Sequence, residues 1–434
     1  MQLTEDQILA LAPDEPSKKS GRELANPAKW VSKGANDTAL WGECKGSGSK
    51  PYQAQIDTAN LAFKCSCPSR KFPCKHGLGL LLLHARQADG FTETQPPAWV
   101  AEWLEKRAVR EEKKAEKKDK PVDEAAQAKR LQAREQGVEE GIDELLLWMK
   151  DIVRNGILTI PEKGPAFFTG MARRMVDAKA PGLAGMVKEL GEVNFYAEGW
   201  QGRFMDRLAD LYLVIAGFRN KETLPEDLKS DLAGAIGFTQ NQDELKAQEG
   251  VADQWLVLGR QITEEEQLTV ERNWLYGTQT NRYALVLQFS IRGQGIGFSF
   301  TPGMTVAATL VFYPSVQPFR ALIKQQTATG SEAAVTAFDD WQPVAEAETE
   351  LGAALPFRQD RPYILRQLRP VLHAEKWWLA DKDNRLVQLK EGFQNIYTLL
   401  AVSGGAALDM AVLGREHAYE PLGAWVSGKY ISLG

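Results

Sequence analysis

The chain has 434 residues, of which 44% are hydrophobic and 25% are charged. This length allows about two to four domains and at least one well-buried core. The 52 basic and 57 acidic residues give a formal net charge of -5, which excludes a protein coated uniformly with positive charge for nucleic acid. Four cysteines in the whole chain exclude a small disulfide-rich scaffold.

The N-terminal segment and the apolar runs bear on the cellular location. Residues 1–16 contain four acidic residues and no basic region ahead of an apolar stretch, so they lack the pattern of a secretory signal. The apolar runs, such as Leu78–Leu83 and Leu211–Phe218, are too short to span a bilayer. These patterns predict a cytoplasmic protein without a membrane segment.

Three of the four cysteines and one of the four histidines fall within twelve consecutive residues, as Cys65, Cys67, Cys74 and His76. In a reducing compartment such a cluster indicates a metal site rather than disulfides. Three thiolates and one imidazole form a typical closed tetrahedral set for zinc. All four positions are filled and no carboxylate lies within the cluster, so the pattern predicts a structural Zn²⁺ rather than a catalytic one. The alternative is a chance group of cysteines in a reduced core.

The residues around the cluster predict its local structure. Single-residue spacing within each ligand pair requires an extended or sharply turned backbone, and Pro68 and Pro73 restrict the residues before them to extended conformations. The leucine-rich run Gly77–Ala85 predicts a helix, despite the cost of its two glycines. We therefore expect two strands, a ligand loop and a helix with Cys74 and His76 in its first turn. The substitution Cys67→Ser is predicted to unfold residues around 40–90.

This spacing, C-x-C-x6-C-x-H, resembles the defining pattern of the SWIM zinc-finger family, which places its ligands on a ββα unit. The preceding segment Trp41–Tyr52 is similar to that of bacterial SWIM zinc-finger proteins of comparable length. The resemblance implies that the four clustered residues are the zinc ligands and that the module binds DNA or a protein. Such bacterial proteins are often encoded near MoxR-type AAA+ ATPases and von Willebrand factor A proteins, which the resemblance implies as partners.

The remaining cysteine and the nearest histidine lie outside this pattern. Twenty residues separate Cys44 from the first ligand, and a lone cysteine near a strand is typical of a small apolar core residue. His84 follows the histidine ligand by eight residues, which places it about 12 Å away along a helix. We expect Cys44 in the core and His84 in a packing or surface role.

Basic residues surround the predicted ligands, and the candidates for nucleic-acid binding are Lys64, Arg70, Lys71 and Lys75. Residues 1–136 contain 23 basic and 19 acidic residues, so this part has a net charge of +4 and the remainder has -9. One explanation is contact with phosphates. The other is that the basic residues compensate the charge of the metal site, because three thiolates on Zn²⁺ leave a net charge of about -1. Both explanations remain open at the level of sequence.

A charged segment and a helical region follow the finger. Residues 105–120 contain 13 charged residues in 16, which predicts a solvated helix that is broken before Pro121. A second polar helix is expected from Asp123 to Gln136. Beyond it, apolar residues at helical spacing predict an amphipathic helix that ends near Asn155, and further helices up to Ile236.

The pattern then changes to strands. The segments Tyr283–Phe289 and Met304–Phe312 alternate in polarity, with turn residues 292–295 between them, and predict a hairpin-rich sheet. Residues 377–379 and 386–389 predict another hairpin, with a turn at residues 381–384. A helix over residues 393–400 and a terminal strand pair up to Tyr430 complete the prediction.

These elements predict an α+β multidomain protein. We expect a SWIM-type zinc finger domain at residues 1–100, a charged helical linker at 101–136, a helical subdomain at 137–247 and a mostly antiparallel, β-rich domain at 248–434. The predicted function is that of a non-enzymatic, zinc-binding interaction protein. The alternative is a hydrolase-like enzyme with an active site in the C-terminal region and the finger as a substrate recruiter.

Overall fold

A computed structural model describes residues 3–46, 48, 50–69, 71–116, 124–265, 268–291, 298–330, 334–355, 357, 359–415 and 417–434. The candidate Arg70, the predicted break at Pro121 and the predicted turn at residues 292–295 lie outside these residues. The fold is α+β and multidomain, as predicted. Among the described residues, no helix is both long and apolar enough to cross a membrane.

The N-terminal unit is a four-stranded antiparallel sheet covered by helices. In chain order its elements are α1 (Glu5–Ala10), α2 (Glu15–Leu24), β1 (Trp30–Ala35), β2 (Ala39–Cys44), β3 (Tyr52–Asp57), β4 (Ala62–Cys65) and α3 (Lys75–Arg86). The strands pair in sequential order. The predicted two strands and helix correspond to β3, β4 and α3, and two further strands extend the sheet.

The glycines of α3 allow a close helix crossing. A Cβ atom on Gly79 would lie 2.6 Å from Cβ of Leu24, at the end of α2, and a Cβ on Gly21 would lie 3.0 Å from Cβ of Leu78. The backbones of α2 and α3 therefore approach each other more closely than any larger residue permits. Tertiary packing explains why a leucine-rich helix contains glycines that lower its intrinsic propensity.

We expect Gly79→Ala to destabilise the protein by about 1–3 kcal/mol, because overpacking of the crossing outweighs the gain in helix propensity. The matched control is Gly185→Ala, also within a helix, where an added Cβ meets no atom within 4 Å. The control substitution should stabilise the protein by up to about 1 kcal/mol. Urea unfolding of both variants measures the two shifts, and a stabilised Gly79→Ala variant would contradict the close crossing.

Two long helices connect the finger to the helical region. They are α4 (Ala98–Glu116) and α5 (Glu124–Asn155). The first turns of α4 pack on the finger sheet, where Val100 joins Ala39 and Trp41 in one apolar cluster. In addition, Nε of Arg107 lies 3.3 Å from a carboxylate oxygen of Asp57. The prediction of a separate polar helix that ends at Gln136 is wrong, because α5 continues to Asn155 and its second half contributes apolar residues to a core.

The helical region is a bundle with a single apolar core. Besides α5 it contains α6 (Ile160–Lys163), α7 (Pro165–Asp177), α8 (Pro181–Gly191), α9 (Trp200–Arg219), α10 (Glu226–Ile236) and α11 (Gln242–Ala247). Helix α7 packs most extensively on α8, and α5, α9 and α10 surround this pair. The helices predicted up to Ile236 correspond to α7, α8, α9 and α10, and α10 ends at that residue.

The first part of the β-rich region is a closed barrel in the order β5-β6-β7-β9-β8. Its strands are β5 (Val251–Glu265), β6 (Leu268–Gly277), β7 (Tyr283–Ile291), β8 (Thr305–Phe312) and β9 (Arg320–Gly330). The expectation that the segments of β7 and β8 form a hairpin is wrong. Strand β9 lies between them and pairs with β7 in parallel, with Leu285 opposite Arg320, because barrel closure decides which strands become neighbours.

The C-terminal part is a six-stranded sheet with two helices. Its elements are α12 (Trp341–Ala354), β10 (Arg361–His373), β11 (Lys376–Ala380), β12 (Leu386–Leu389), α13 (Ile396–Ser403), β13 (Leu408–Arg415), β14 (Ala418–Val426) and β15 (Lys429–Ser432). The hairpin predicted at residues 377–389 is formed by β11 and β12, and the terminal strand pair is formed by β14 and β15.

The finger unit and the barrel share a core. Buried side chains of α1, α3 and the finger sheet form one continuous apolar cluster with residues of the barrel and of the connection between β7 and β8, among them Trp255, Val286 and Phe300. Two polar contacts add to this junction: Arg260 donates to the carbonyl oxygen of Leu11 at 3.3 Å, and the amide of Ser299 donates to Asn60 at 3.3 Å. The finger is therefore held by tertiary packing as well as by its metal.

Candidate metal centre

The first ligand pair lies where β4 ends. Cys65 is the last residue of β4 and pairs with Ala54 of β3. Beyond it the amide of Ser66 donates to the carbonyl oxygen of Gln53 at 2.9 Å, and the amide of Gln53 donates to Oγ of Ser66 at 2.9 Å. These reciprocal bonds extend the strand pairing into the loop and fix the backbone between Cys65 and Cys67.

The second ligand pair lies at the start of α3. Cys74 is the N-cap residue and has an extended backbone, so its side chain leaves the helix end toward the loop. His76 is in the first turn and is buried. The ring of Tyr52 lies 4.9 Å from the ring of His76 and covers it on one side. The strand end and the helix start thus bring four residues of one short segment together.

The four donor groups converge on one point. The Sγ and imidazole nitrogen atoms of Cys65, Cys67, Cys74 and His76 all lie within 4.8 Å of one another. Nδ1 of His76 lies 3.7 Å from Sγ of Cys65 and 4.0 Å from Sγ of Cys74. Tetrahedral zinc with bonds near 2.0–2.3 Å requires donor separations of about 3.6–3.8 Å. The arrangement fits a structural zinc site.

The thiols interact strongly because they are so close. Hydrogen bonding from its neighbouring thiols lowers the pKa of Cys67, and the bond to Cys67 raises the pKa of Cys65. One thiolate is thus stabilised by the protons of the others. A bound Zn²⁺ replaces those protons and holds all three cysteines as thiolates.

Cys44 and His84 take no part in the site. Cys44 is fully buried in the core that the finger shares with the barrel, as predicted. The ring of His84 packs edge-on against Phe91 at 4.9 Å, and burial lowers the pKa of His84. In the described part of the chain, the Cys₃His set is the only group of three or more ligand side chains close enough together to hold one metal ion.

A groove lies beside the metal site, between α2, the ligand loop and the start of α3. It has a volume of about 560 Å³ and is lined by Pro16, Ser17, Ser20, Leu24, Lys45, Gly46, Tyr52, Cys67, Pro68, Ser69, Lys71, Lys75 and His76. Among the described residues, this lining contains three lysines and no carboxylate. We refer to it as the finger groove.

The basic candidates divide around this groove. Lys71 and Lys75 line it, whereas Lys64 is exposed on β4 outside it. Nζ of Lys71 lies 2.5 Å from a carboxylate oxygen of Asp14. Burial acts to raise the pKa of Asp14, but hydrogen bonds from Lys71 and Ser17 outweigh it and hold the pKa below its ordinary value. The positive charge of Lys71 is thus already neutralised by the carboxylate of Asp14.

Sequence reasoning did not find the contribution of α2 and of Tyr52 to the site. Asp14, the N-cap of α2, lies more than fifty residues before the ligand loop, and no spacing pattern connects the two. An aromatic residue beside a histidine ligand likewise has no local signal. Both contacts depend on how the chain returns to the finger in three dimensions.

Comparison with known protein families identifies two domains in this chain. Residues 62–85 match the SWIM zinc finger, and residues 133–236 match the SWIM-associated four-helix bundle domain. The first match contains all four ligands, and the second covers most of α5 and all of α7–α10. Neither a search of curated proteins nor a search of solved structures found a match. The chain therefore carries a SWIM zinc finger with a structural zinc site, followed by the bundle associated with it.

Proposed function

We propose that the SWIM zinc finger of this protein is a binding module that recognises an acidic segment of a protein partner in the finger groove. The observation that carries the proposal is the composition of the groove. Within the described residues, three lysines and no carboxylate line it, together with the apolar side chains of Pro16, Leu24, Tyr52 and Pro68. A peptide with acidic and apolar side chains is complementary to such a lining.

The charge balance supports a protein partner over DNA. Asp14 neutralises Lys71, and the zinc with three thiolates adds about -1, so the groove is only weakly positive. DNA binding draws its affinity from many uncompensated cations along the phosphate backbone. DNA remains the second candidate because Lys64 and Lys75 are exposed and form no ion pair within the described residues.

Two charge reversals distinguish these functions. Lys75→Glu inside the groove should weaken binding of a protein partner at least about tenfold, whereas Lys64→Glu outside it should leave that binding unchanged. If the partner is DNA, both variants should weaken binding. The affinity of each variant should also depend less steeply on salt concentration than the affinity of the wild type. The control is Lys150→Glu, an exposed lysine of α5, and zinc content must equal one per chain in every variant.

The measurement has two stages. Affinity purification from nuclease-treated and untreated lysate identifies candidate partners, and each is then purified and titrated against the variants. Proteins of the MoxR-type AAA+ and von Willebrand factor A classes are the first to titrate. A partner whose affinity is the same for wild type and Lys75→Glu would refute the groove proposal, and steep salt-dependent binding of a DNA duplex would favour the second candidate.

We place this function in the cytoplasm, because a reducing compartment keeps the three thiols available for zinc. The hydrolase-like alternative remains a hypothesis, and no observation on the described residues favours it.

A further inference from the structure

A second cavity lies where the helical bundle, the barrel and the C-terminal sheet meet. It has a volume of about 240 Å³ and is lined by residues of α10 and the segment after it, by the connection between β8 and β9, and by the start of β10. Two arginines, Arg320 and Arg361, are among its lining residues.

Arg361 is an incompletely satisfied cation. Its guanidinium lies 4.0 Å from the ring centroid of Phe319, and one terminal nitrogen donates to the carbonyl oxygen of Gln317 at 3.1 Å. Its Nε–H is buried and has no hydrogen-bond partner among the described residues. Burial lowers the pKa of Arg361 to about 10. The carboxylates of Glu348 and Asp231 act through space to favour the charged guanidinium. Within the described residues, however, Arg361 forms no direct ion pair, so an entering anion would gain a charge-assisted contact with it.

Arg320 provides a second guanidinium at the same cavity. It stacks on the ring of Tyr313 at 4.6 Å and forms no ion pair within the described part of the chain. Asp231 is the carboxylate in the lining, and one of its oxygens accepts a hydrogen bond from the amide of Val316 at 2.9 Å. The described lining therefore has two guanidinium groups and one carboxylate, so a net positive charge remains at the cavity.

We propose that this junction cavity binds a small molecule through an oxyanion, a phosphate or carboxylate group, held between Arg320 and Arg361. Planar guanidinium groups match both oxyanions with paired N–H donors. The stacking of each guanidinium on an aromatic ring fixes its plane before the ligand enters. The rings of Phe238 and Phe357, also in the lining, offer apolar contact to the rest of the ligand.

The proposal is tested on the full-length, zinc-loaded protein by isothermal titration calorimetry with inorganic phosphate and, separately, with succinate, at constant ionic strength. We expect saturable 1:1 binding of at least one anion, and the one that binds more tightly identifies the group. Arg361→Gln and Arg320→Gln should each weaken this binding at least tenfold. Arg320→Gln keeps the test decisive if Arg361→Gln fails to fold.

Two controls locate the binding. Arg366→Gln changes an exposed arginine of the same strand β10 that pairs with Asp339 at 3.3 Å, and Lys75→Gln changes the finger groove. Both should bind the anion like the wild type. The proposal is overturned if neither anion binds saturably, if both cavity variants bind as tightly as the wild type, or if Lys75→Gln abolishes the binding.

Discussion

We expect Cys67→Ser to release the zinc and to unfold the ligand loop, residues 65–76. This is the largest effect that we expect from a single substitution. The part of the loop around Cys67 has little apolar support of its own, because Cys67, Pro68 and Ser69 are partly or fully exposed. Zinc contributes roughly 10–16 kcal/mol to the folding of isolated zinc-finger peptides. Loss of a ligand therefore removes the main interaction that holds the loop.

The shared core limits how far this unfolding extends. The sequence alone predicts that residues around 40–90 unfold together. In the structure, the finger sheet and α3 belong to the same apolar cluster as residues of the barrel strands, so we expect their burial to persist without zinc. We expect the amides of residues 65–76 to lose protection from hydrogen exchange, and those of β1–β3 to keep most of theirs.

The matched control is Cys44→Ala, which changes the buried cysteine outside the site. It should keep one zinc per chain and the protection of the ligand loop, at a modest cost in stability. Zinc content by elemental analysis and exchange by mass spectrometry provide the two readouts. A Cys67→Ser chain with a full equivalent of zinc and wild-type exchange at residues 65–76 would refute the assignment of this ligand.

Glu271→Ala should destabilise the barrel by about 3–5 kcal/mol, because it leaves the charge of Arg260 buried without a partner. Nε of Arg260 lies 3.0 Å from one carboxylate oxygen of Glu271, and a terminal nitrogen bonds the other oxygen. Both side chains are only 4% exposed. Since Arg260 also donates to Leu11, the same substitution should loosen the contact of the N-terminal unit with the barrel.

Two comparisons test this explanation. The double variant Arg260→Met/Glu271→Leu removes both charges and should recover most of the lost stability. Asp339→Ala breaks an exposed pair with Arg366, whose side chains are 64% and 54% exposed, and should cost less than about 1 kcal/mol. The midpoints of urea unfolding measure the stability of Glu271→Ala, of the double variant and of Asp339→Ala. Equal losses for Glu271→Ala and Asp339→Ala would contradict the buried-pair argument.

The zinc ligands and several helices were predictable because their signals are local. Cys65, Cys67, Cys74 and His76 lie within twelve residues, and their residue types restrict the metal. Helices α7 to α10 follow from apolar residues at helical spacing. Helix α5 was divided wrongly because its polar first half has no apolar face, although the backbone continues through it.

Contacts between distant segments were not predictable. Local periodicity identified β7 and β8 as strands, but the position of β9 between them depends on barrel closure. The ion pair of Lys71 with Asp14 and the buried pair of Arg260 with Glu271 have no spacing signal, because charged residues are common and their partners lie on other elements.

The sequence by itself determined the metal, its four ligands and the strand, loop and helix that present them. Ligand chemistry and backbone restriction act over a dozen residues, so they can be recognised in one segment. Only the tertiary structure decided that the finger shares its core with the barrel, that α2 forms one wall of the finger groove and that two arginines line the junction cavity. These features arise from burial and charge shared between segments far apart in the chain, and neither is specified by a local pattern.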